Sequence, residues 1–328
     1  MDLDKAIIAT IGYYDRLDYP LTAFEIWKFM INPGRLAASE EAISEITIRE
    51  VAARVSDLVQ KKNLGEKNGF YFLSGRAAIV GIRLEREKIA AQKWKKFLRL
   101  AWWLQATPWI RGMFASGSLA LGNTNETSDF DVLVIAAKGR LYLARLFLSG
   151  IASLLGARRT RYQTMAPDKF CFNHYLTDES LTIEHQSLFN AQSYAHLVSI
   201  LPNHRLAAEF SAANLWLNRY LYNYKPKQDL VRRQITESKI LGAIARPIEM
   251  IFDNKLGDWL ENLAKSYQQQ RIAANPATNA PGGRVVYNDR ELEFHPRSFE
   301  RAVLDAYNSA VRKIEPLAIP EHDSGLTS

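Results

Sequence analysis

The first eighty residues alternate between helical hydrophobic spacing and polar breaks. Apolar positions that recur every three to four residues predict three helices, over residues 4–16, 23–30 and 48–62. Thr22 and Thr47 directly precede the second and third of these, where a threonine can cap the free N–H groups of the first turn. Asn68-Gly69, followed by an aromatic run, predicts a β-hairpin over 64–74.

Beyond residue 80 the pattern indicates a long helix, a set of strands and then more helices. Residues 83–104 read as one helix with an apolar stripe and a basic face. Apolar runs predict strands on both sides of residues 117–128, and a helix follows over 140–156. The runs 169–176 and 181–188 predict an antiparallel hairpin. From 191 onward the chain reads as helical, with a late hairpin over 284–294.

These patterns predict an α+β protein in four parts. Residues 1–80 form the first, and 81–104 form a basic linker helix. Residues 105–190 hold the strands expected to form the core, and 191–328 form a helical C-terminal extension with the late hairpin. Three helices followed by a hairpin are similar to a winged-helix domain, so residues 1–80 are a candidate for DNA binding, with 48–62 as the recognition helix.

The candidate chemistry lies in residues 110–136. Asp129 and Asp131 open a strand, and residues i and i+2 of a strand point to the same face. Two carboxylates that close repel each other unless a cation lies between them, and hard oxygen ligands suit Mg²⁺. Gly117 allows the backbone to approach a ligand closely. Ser118 would begin a helix, where free N–H groups favour a phosphate.

A Gly-Ser turn followed by Asp-x-Asp at the start of a strand resembles the DNA polymerase β-like nucleotidyltransferase superfamily. The resemblance rests on Gly117, Ser118, Asp129 and Asp131. It implies a mixed sheet flanked by helices and an Mg²⁺- or Mn²⁺-dependent transfer of a nucleoside monophosphate from an NTP to an acceptor hydroxyl. It assigns catalysis and metal binding to the two aspartates, and phosphate binding to Gly117 and Ser118.

The resemblance also implies a third carboxylate, and here the sequence leaves two alternatives open. Glu184 in the predicted second strand of the 169–188 hairpin is the preferred candidate. Asn173 in the first strand is the alternative, and it would fill the position without a charge. With Asn173 in that position, the rival interpretation is a weak or inactive NTP-sensing regulator whose winged-helix domain binds DNA or a partner protein.

Charge and composition limit the kinds of partner that the protein is expected to bind. Of the net charge of +7, residues 81–165 hold 14 Lys and Arg against 5 Asp and Glu, while the segments on either side are each at −1. This excess beside the predicted site suits an anionic substrate such as an NTP. The acceptor can be a small molecule, RNA or protein. The single cysteine, Cys171, excludes an internal disulfide and is typical of a reducing compartment, so we expect a cytoplasmic protein with no membrane partner.

Overall fold

The computed structural model describes residues 3–36, 45–160, 163, 165–225, 233–296, 298–312 and 321. Its N-terminal part contains three helices and a hairpin, which are α1 (Leu3–Asp15), α2 (Ala23–Lys28), α3 (Ile48–Gln60), β1 (Leu64–Lys67) and β2 (Phe70–Leu73). Thr22 and Thr47 begin α2 and α3 with capping boxes, in which Glu25 and Glu50 bond back to the cap residue. The predicted helices and hairpin of this part are confirmed.

A mixed six-stranded sheet forms the centre of the molecule. Its strands are β3 (Ile110–Ala115), β4 (Phe130–Ala136), β5 (Phe170–Thr177), β6 (Val198–Ser199), β7 (Arg284–Tyr287) and β8 (Glu291–His295). They lie in the order β6-β3-β4-β5-β8-β7, with β4 and β5 parallel and every other pair antiparallel. The α+β class and a mixed sheet flanked by helices are therefore confirmed.

Helices cover both faces of the sheet. They are α4 (Ile79–Trp103), α5 (Gly117–Leu121), α6 (Leu141–Leu154), α7 (Leu188–Ala195), α8 (His204–Ala213), α9 (Lys239–Ile251), α10 (Lys255–Ala273) and α11 (Glu300–Arg312). Residues that alternate along β4 separate into two hydrophobic clusters. Leu133 and Ile135 join the cluster that contains α1 and α11, whereas Val132 and Val134 join the cluster under α4 and α6.

The predicted hairpin over 169–188 is wrong in its second half. Residues 169–176 do form a strand, but 181–188 run as an irregular connection into α7. The partner of β5 on that side is β8, with His174 opposite Glu293. The backbone N–H of Ile183 instead donates to the side-chain oxygen of Asn214 at 2.9 Å. A side chain distant in sequence thus satisfies a backbone N–H group that the local alternation of apolar and polar residues had predicted to pair with a neighbouring strand.

The segment expected to be an appended extension contributes to the central sheet. The predicted late hairpin is confirmed as β7 and β8, and β8 lies directly against β5. After it, α11 packs on α1, where the Tyr13 and Tyr307 rings meet edge to face at 6.4 Å. The beginning and end of the described chain therefore share one core.

The apolar segment at 141–157 forms α6 and packs within the protein. Glu261 of α10 accepts hydrogen bonds from the N–H groups of Tyr142 and Leu143, at 2.8 and 2.9 Å, and so caps the start of α6. In the part of the chain that is described, no helix combines the length and the apolarity that crossing a membrane requires.

Candidate active site

The two aspartates lie together where β4 begins. Asp129 ends the loop before β4 and Asp131 is its second residue. One ligand atom from each of Asp129, Asp131 and Cys171 lies within 4.8 Å of the other two. Phe130 between the aspartates is fully buried and packs against Phe97, so the alternation of the strand turns both carboxylates to the opposite side.

Gly117 brings the turn after β3 directly against Asp131. The backbone N–H of Ser116 donates to the Asp131 carbonyl at 3.0 Å, which extends the pairing of β3 and β4 into the turn. Gly117 has φ +61°, and a Cβ there would lie 2.3 Å from Asp131 Oδ2. Glycine is required at this position by both backbone conformation and space.

The first turn of α5 presents its N–H groups beside the aspartates. Ser118 was expected to begin this helix, but α5 begins one residue earlier, at Gly117, with Ser116 as its N-cap. N–H groups in a first turn have no acceptor within their own helix. The turn therefore offers backbone donors beginning at Gly117, which lies against Asp131, and Ser118 follows it in the same turn.

Lys93 of α4 fixes the loop that carries Asp129. Its ammonium group donates to the carbonyls of Glu126 and Ser128, at 2.9 and 2.8 Å, and to Asp168 Oδ1 at 2.7 Å. The Lys93 side chain is only 7% exposed, so these three acceptors take the place of water around a buried charge. The basic linker helix thus holds the loop in place from behind.

Arg159 forms an ion pair at the front of the site. Its Nη1 donates to Asp129 Oδ2 and also approaches Cys171 Sγ at 3.7 Å. The backbone N–H of Arg159 donates to the Phe170 carbonyl at 3.0 Å, so the arginine is attached to the start of β5. The guanidinium is therefore fixed beside the aspartates by its own main chain.

A bulge in β5 turns Asn173 toward the aspartates. Val132 pairs with Phe172 and Leu133 with His174, which leaves Asn173 as the extra residue between them. Its side-chain amide donates to Asp131 Oδ1 at 2.8 Å. Of the two candidates for the third position, Asn173 is the one that contacts the aspartate pair.

Glu184 lies elsewhere. It is exposed in the connection after β5 and lines a pocket together with Leu176, Thr182 and Glu291. Leu176 follows Cys171 by five residues along β5, or about 16 Å at about 3.3 Å per residue. The Glu184 pocket is therefore at the opposite end of the strand from the aspartates.

Burial and charge perturb the acids of this site. Burial and the neighbouring Asp129 raise the pKa of Asp131 to about 7, although Arg159 and a hydrogen bond from Cys171 act in the other direction. Burial and the two aspartates also raise the pKa of the Cys171 thiol well above its usual value. The thiol therefore stays protonated, and the carboxylates remain the ligands for a hard cation.

Sequence reasoning missed Arg159 and the contact made by Cys171. The basic run 158–161 was visible, but its spacing gave no indication of which arginine would turn inward. The bulge that places Asn173 depends on the register of β5 against β4, and a local pattern does not contain that register. The tryptophans of the linker region lie partly in the core, with Trp94 and Trp109 buried.

Comparison with known proteins gives no match, whether with family models, curated proteins or solved structures. The interpretation of the site therefore depends on its own geometry and chemistry.

Proposed function

We propose that this protein is an Mg²⁺-dependent nucleotidyltransferase that moves a nucleoside monophosphate from an NTP to an acceptor hydroxyl on a small molecule, RNA or protein. The observation that carries the proposal is the meeting of three features at one point. These are the Asp129–Asp131 pair, the glycine whose missing Cβ makes room for Asp131, and the first turn of α5.

The donor set fits a hard divalent ion. Two carboxylates within 4.8 Å of each other favour a cation between them. Burial, together with the charge of Asp129, raises the pKa of Asp131, so a cation would stabilise its ionised form. Asp129 and Asp131 would hold Mg²⁺ or Mn²⁺ here. When bound, the ion supplies positive charge that offsets the charge of the triphosphate and of the departing pyrophosphate.

The residues of the chain account for orientation and for the remaining charge. The N–H groups of Gly117 and Ser118, with the Ser118 hydroxyl, would donate to phosphate oxygens. Arg159 lies beside Asp129 and would face the anionic substrate. Rate enhancement would come mainly from fixing the donor and from electrostatic stabilisation, as in phosphoryl transfer generally.

The test incubates the protein with each α-labelled NTP, Mg²⁺ or Mn²⁺ and a cell extract that supplies acceptors. An Asp129→Ala/Asp131→Ala variant serves as the control. We expect label to reach an acceptor with the native protein and not with the variant. Failure of the native protein to bind any NTP in the presence of metal would contradict the proposal.

A second function, an NTP-sensing regulator, is favoured by one observation. Asn173 stands beside Asp131 where the resemblance implies a third carboxylate, so the group that would assist the acceptor hydroxyl is neutral. In this version metal-dependent NTP binding occurs without transfer of label in the same assay. The N-terminal part would then pass the signal to DNA or to a partner protein.

Contacts described in the N-terminal part argue against a regulator whose N-terminal part binds DNA. Arg54, at the centre of α3, is in ion pairs with Asp4 at 2.5 Å and Asp57 at 3.4 Å. An arginine that is engaged by two carboxylates has less charge to offer a phosphate. Arg54 would therefore contribute little to a DNA-binding surface.

A further inference from the structure

The candidate site already holds a cation that belongs to the chain. Arg159 is bonded to Asp129, and its side chain is only 33% exposed. Its Nε also lies 3.4 Å from the Gln163 carbonyl, and its backbone N–H is bonded to Phe170. Side-chain and main-chain bonds thus hold one positive charge on the Asp129 side of the carboxylate pair.

Among the residues that the structure describes, Asn173 and not a carboxylate hydrogen-bonds Asp131 from the bulge of β5. Asn173 donates to Asp131 at 2.8 Å, so the group that the bulge brings to this carboxylate is a neutral amide. Two divalent ions in one site lie about 3.5–4 Å apart and repel each other strongly, and this repulsion must be offset by carboxylates. In the described part of the chain this site has two carboxylates, Asp129 and Asp131, and Asp129 is already paired with a guanidinium.

Formal charge shows how many ions the site can accept. Three carboxylates with two divalent ions leave a single net positive charge. Asp129, Asp131 and Arg159 reach the same net charge with one divalent ion, and a second ion would leave three positive charges in a partly buried site. Compared with a site of three carboxylates, Arg159 and Asn173 therefore each make this site more positive.

We infer that this site takes one divalent cation per chain, and that the Arg159 guanidinium supplies the positive charge that a second ion would otherwise bring. The inference rests on the proposed function, because it concerns the same metal-binding aspartates. It makes Arg159 and Asn173 a matched pair of residues that together set the number of metal ions.

The experiment titrates the full-length protein with Mn²⁺ and counts bound ions by electron paramagnetic resonance of the free ion. We expect one Mn²⁺ per native chain and two per chain in an Arg159→Ala/Asn173→Asp variant. Arg159→Lys keeps the charge and should still bind one. Arg159→Ala alone should bind its single ion about tenfold more tightly, since a competing positive charge beside Asp129 is removed.

The matched control is Arg158→Ala, which removes the same charge from the neighbouring position and should leave both stoichiometry and affinity unchanged. Circular dichroism and thermal melting establish that each variant is folded. Two Mn²⁺ per native chain, or one per chain in the folded double variant, would overturn the inference and leave the proposed function in place. If neither the native protein nor any folded variant binds Mn²⁺, both proposals fail.

Discussion

At the scale of single residues, the site depends on one atom that is absent from glycine. Gly117 lies so close to Asp131 that a Cβ would overlap the carboxylate. The position also has a positive φ, which costs a non-glycine residue about 1 kcal/mol or more. Space and backbone conformation are separate demands, and they can be separated by experiment.

Gly117→Ala should destabilise the protein by about 1–3 kcal/mol and weaken Mn²⁺ binding by about tenfold or more, because the new methyl group displaces Asp131. The matched control is Gly122→Ala. Gly122 also has a positive φ, +79°, but nothing lies within 4 Å of a Cβ there. It should lose stability by about 1 kcal/mol and bind Mn²⁺ normally. Urea denaturation establishes that both variants are folded. If the two folded variants then lose Mn²⁺ affinity equally, overlap of the new methyl group with Asp131 is not the cause.

The sequence predicted only some of the residues that meet at the site. Asp129, Asp131 and Gly117 could be placed together because their spacing within strand, turn and strand is short and fixed. Arg159 could not be placed with them, and Asn173 remained one of two alternatives beside Glu184. Arg159 reaches the pair because the chain after α6 runs along the start of β5, and the register of β5 against β4 brings Asn173, and not Glu184, to Asp131. Both depend on how separate segments align.

At the scale of elements, α4 supports the loop between α5 and β4. Lys93 binds that loop through two carbonyls and also pairs with Asp168, which precedes β5. Lys96, one turn later, pairs with Asp168 and is 55% exposed. The two lysines share a helix and a partner but differ in burial. They therefore form a natural pair for comparison.

Lys93→Met should lower the free energy of unfolding by about 2–3 kcal/mol, since it removes charge-assisted hydrogen bonds from a buried position. Lys96→Met removes a mostly exposed ion pair and should change it by less than about 1 kcal/mol. Urea denaturation measures both, and Mn²⁺ titration should show weaker binding only for Lys93→Met. Similar losses of stability in the two variants would show that Lys93 has no special role in the loop.

Elements with local signals were predicted correctly, and the incorrect one depended on a distant partner. Only a few neighbouring residues determine the threonine caps of α2 and α3 and the Asn-Gly turn of the first hairpin. The alternation over 181–188 resembled a strand, but the edge of β5 is taken by β8. Tyr220 donates to the Gln186 carbonyl at 2.8 Å, a further bond that no local pattern contains.

At the scale of the whole molecule, buried ion pairs join segments that are far apart in sequence. His185, in the connection after β5, lies 2.9 Å from Glu300 at the start of α11, and both side chains are about 95% buried. Burial lowers the pKa of His185, but the hydrogen bond and charge of Glu300 outweigh it, so that the pKa is raised overall. This pair helps to fix α11 against the rest of the core.

Because the folded state raises the pKa of His185, its ionic contribution is complete below about pH 6.5, the unfolded value, and is lost as the pH rises through the folded value. The native protein should therefore exceed His185→Gln in stability by about 1–2 kcal/mol at pH 6, and by less at pH 8.5. Thermal melting at both pH values measures the gap. A gap that widens toward pH 8.5 would refute the assignment.

The sheet order has a consequence for synthesis on the ribosome. One side of β5 can pair with β4 as soon as both have emerged, but the other side waits for β8, which ends at His295. At translation rates of about 5–20 residues per second, the outer edge of β5 stays open for roughly 6–24 seconds in each nascent chain. During that interval the backbone donors and acceptors of an apolar strand are available to other nascent chains, so prompt synthesis of β8 shortens the time in which β5 can pair with the wrong strand.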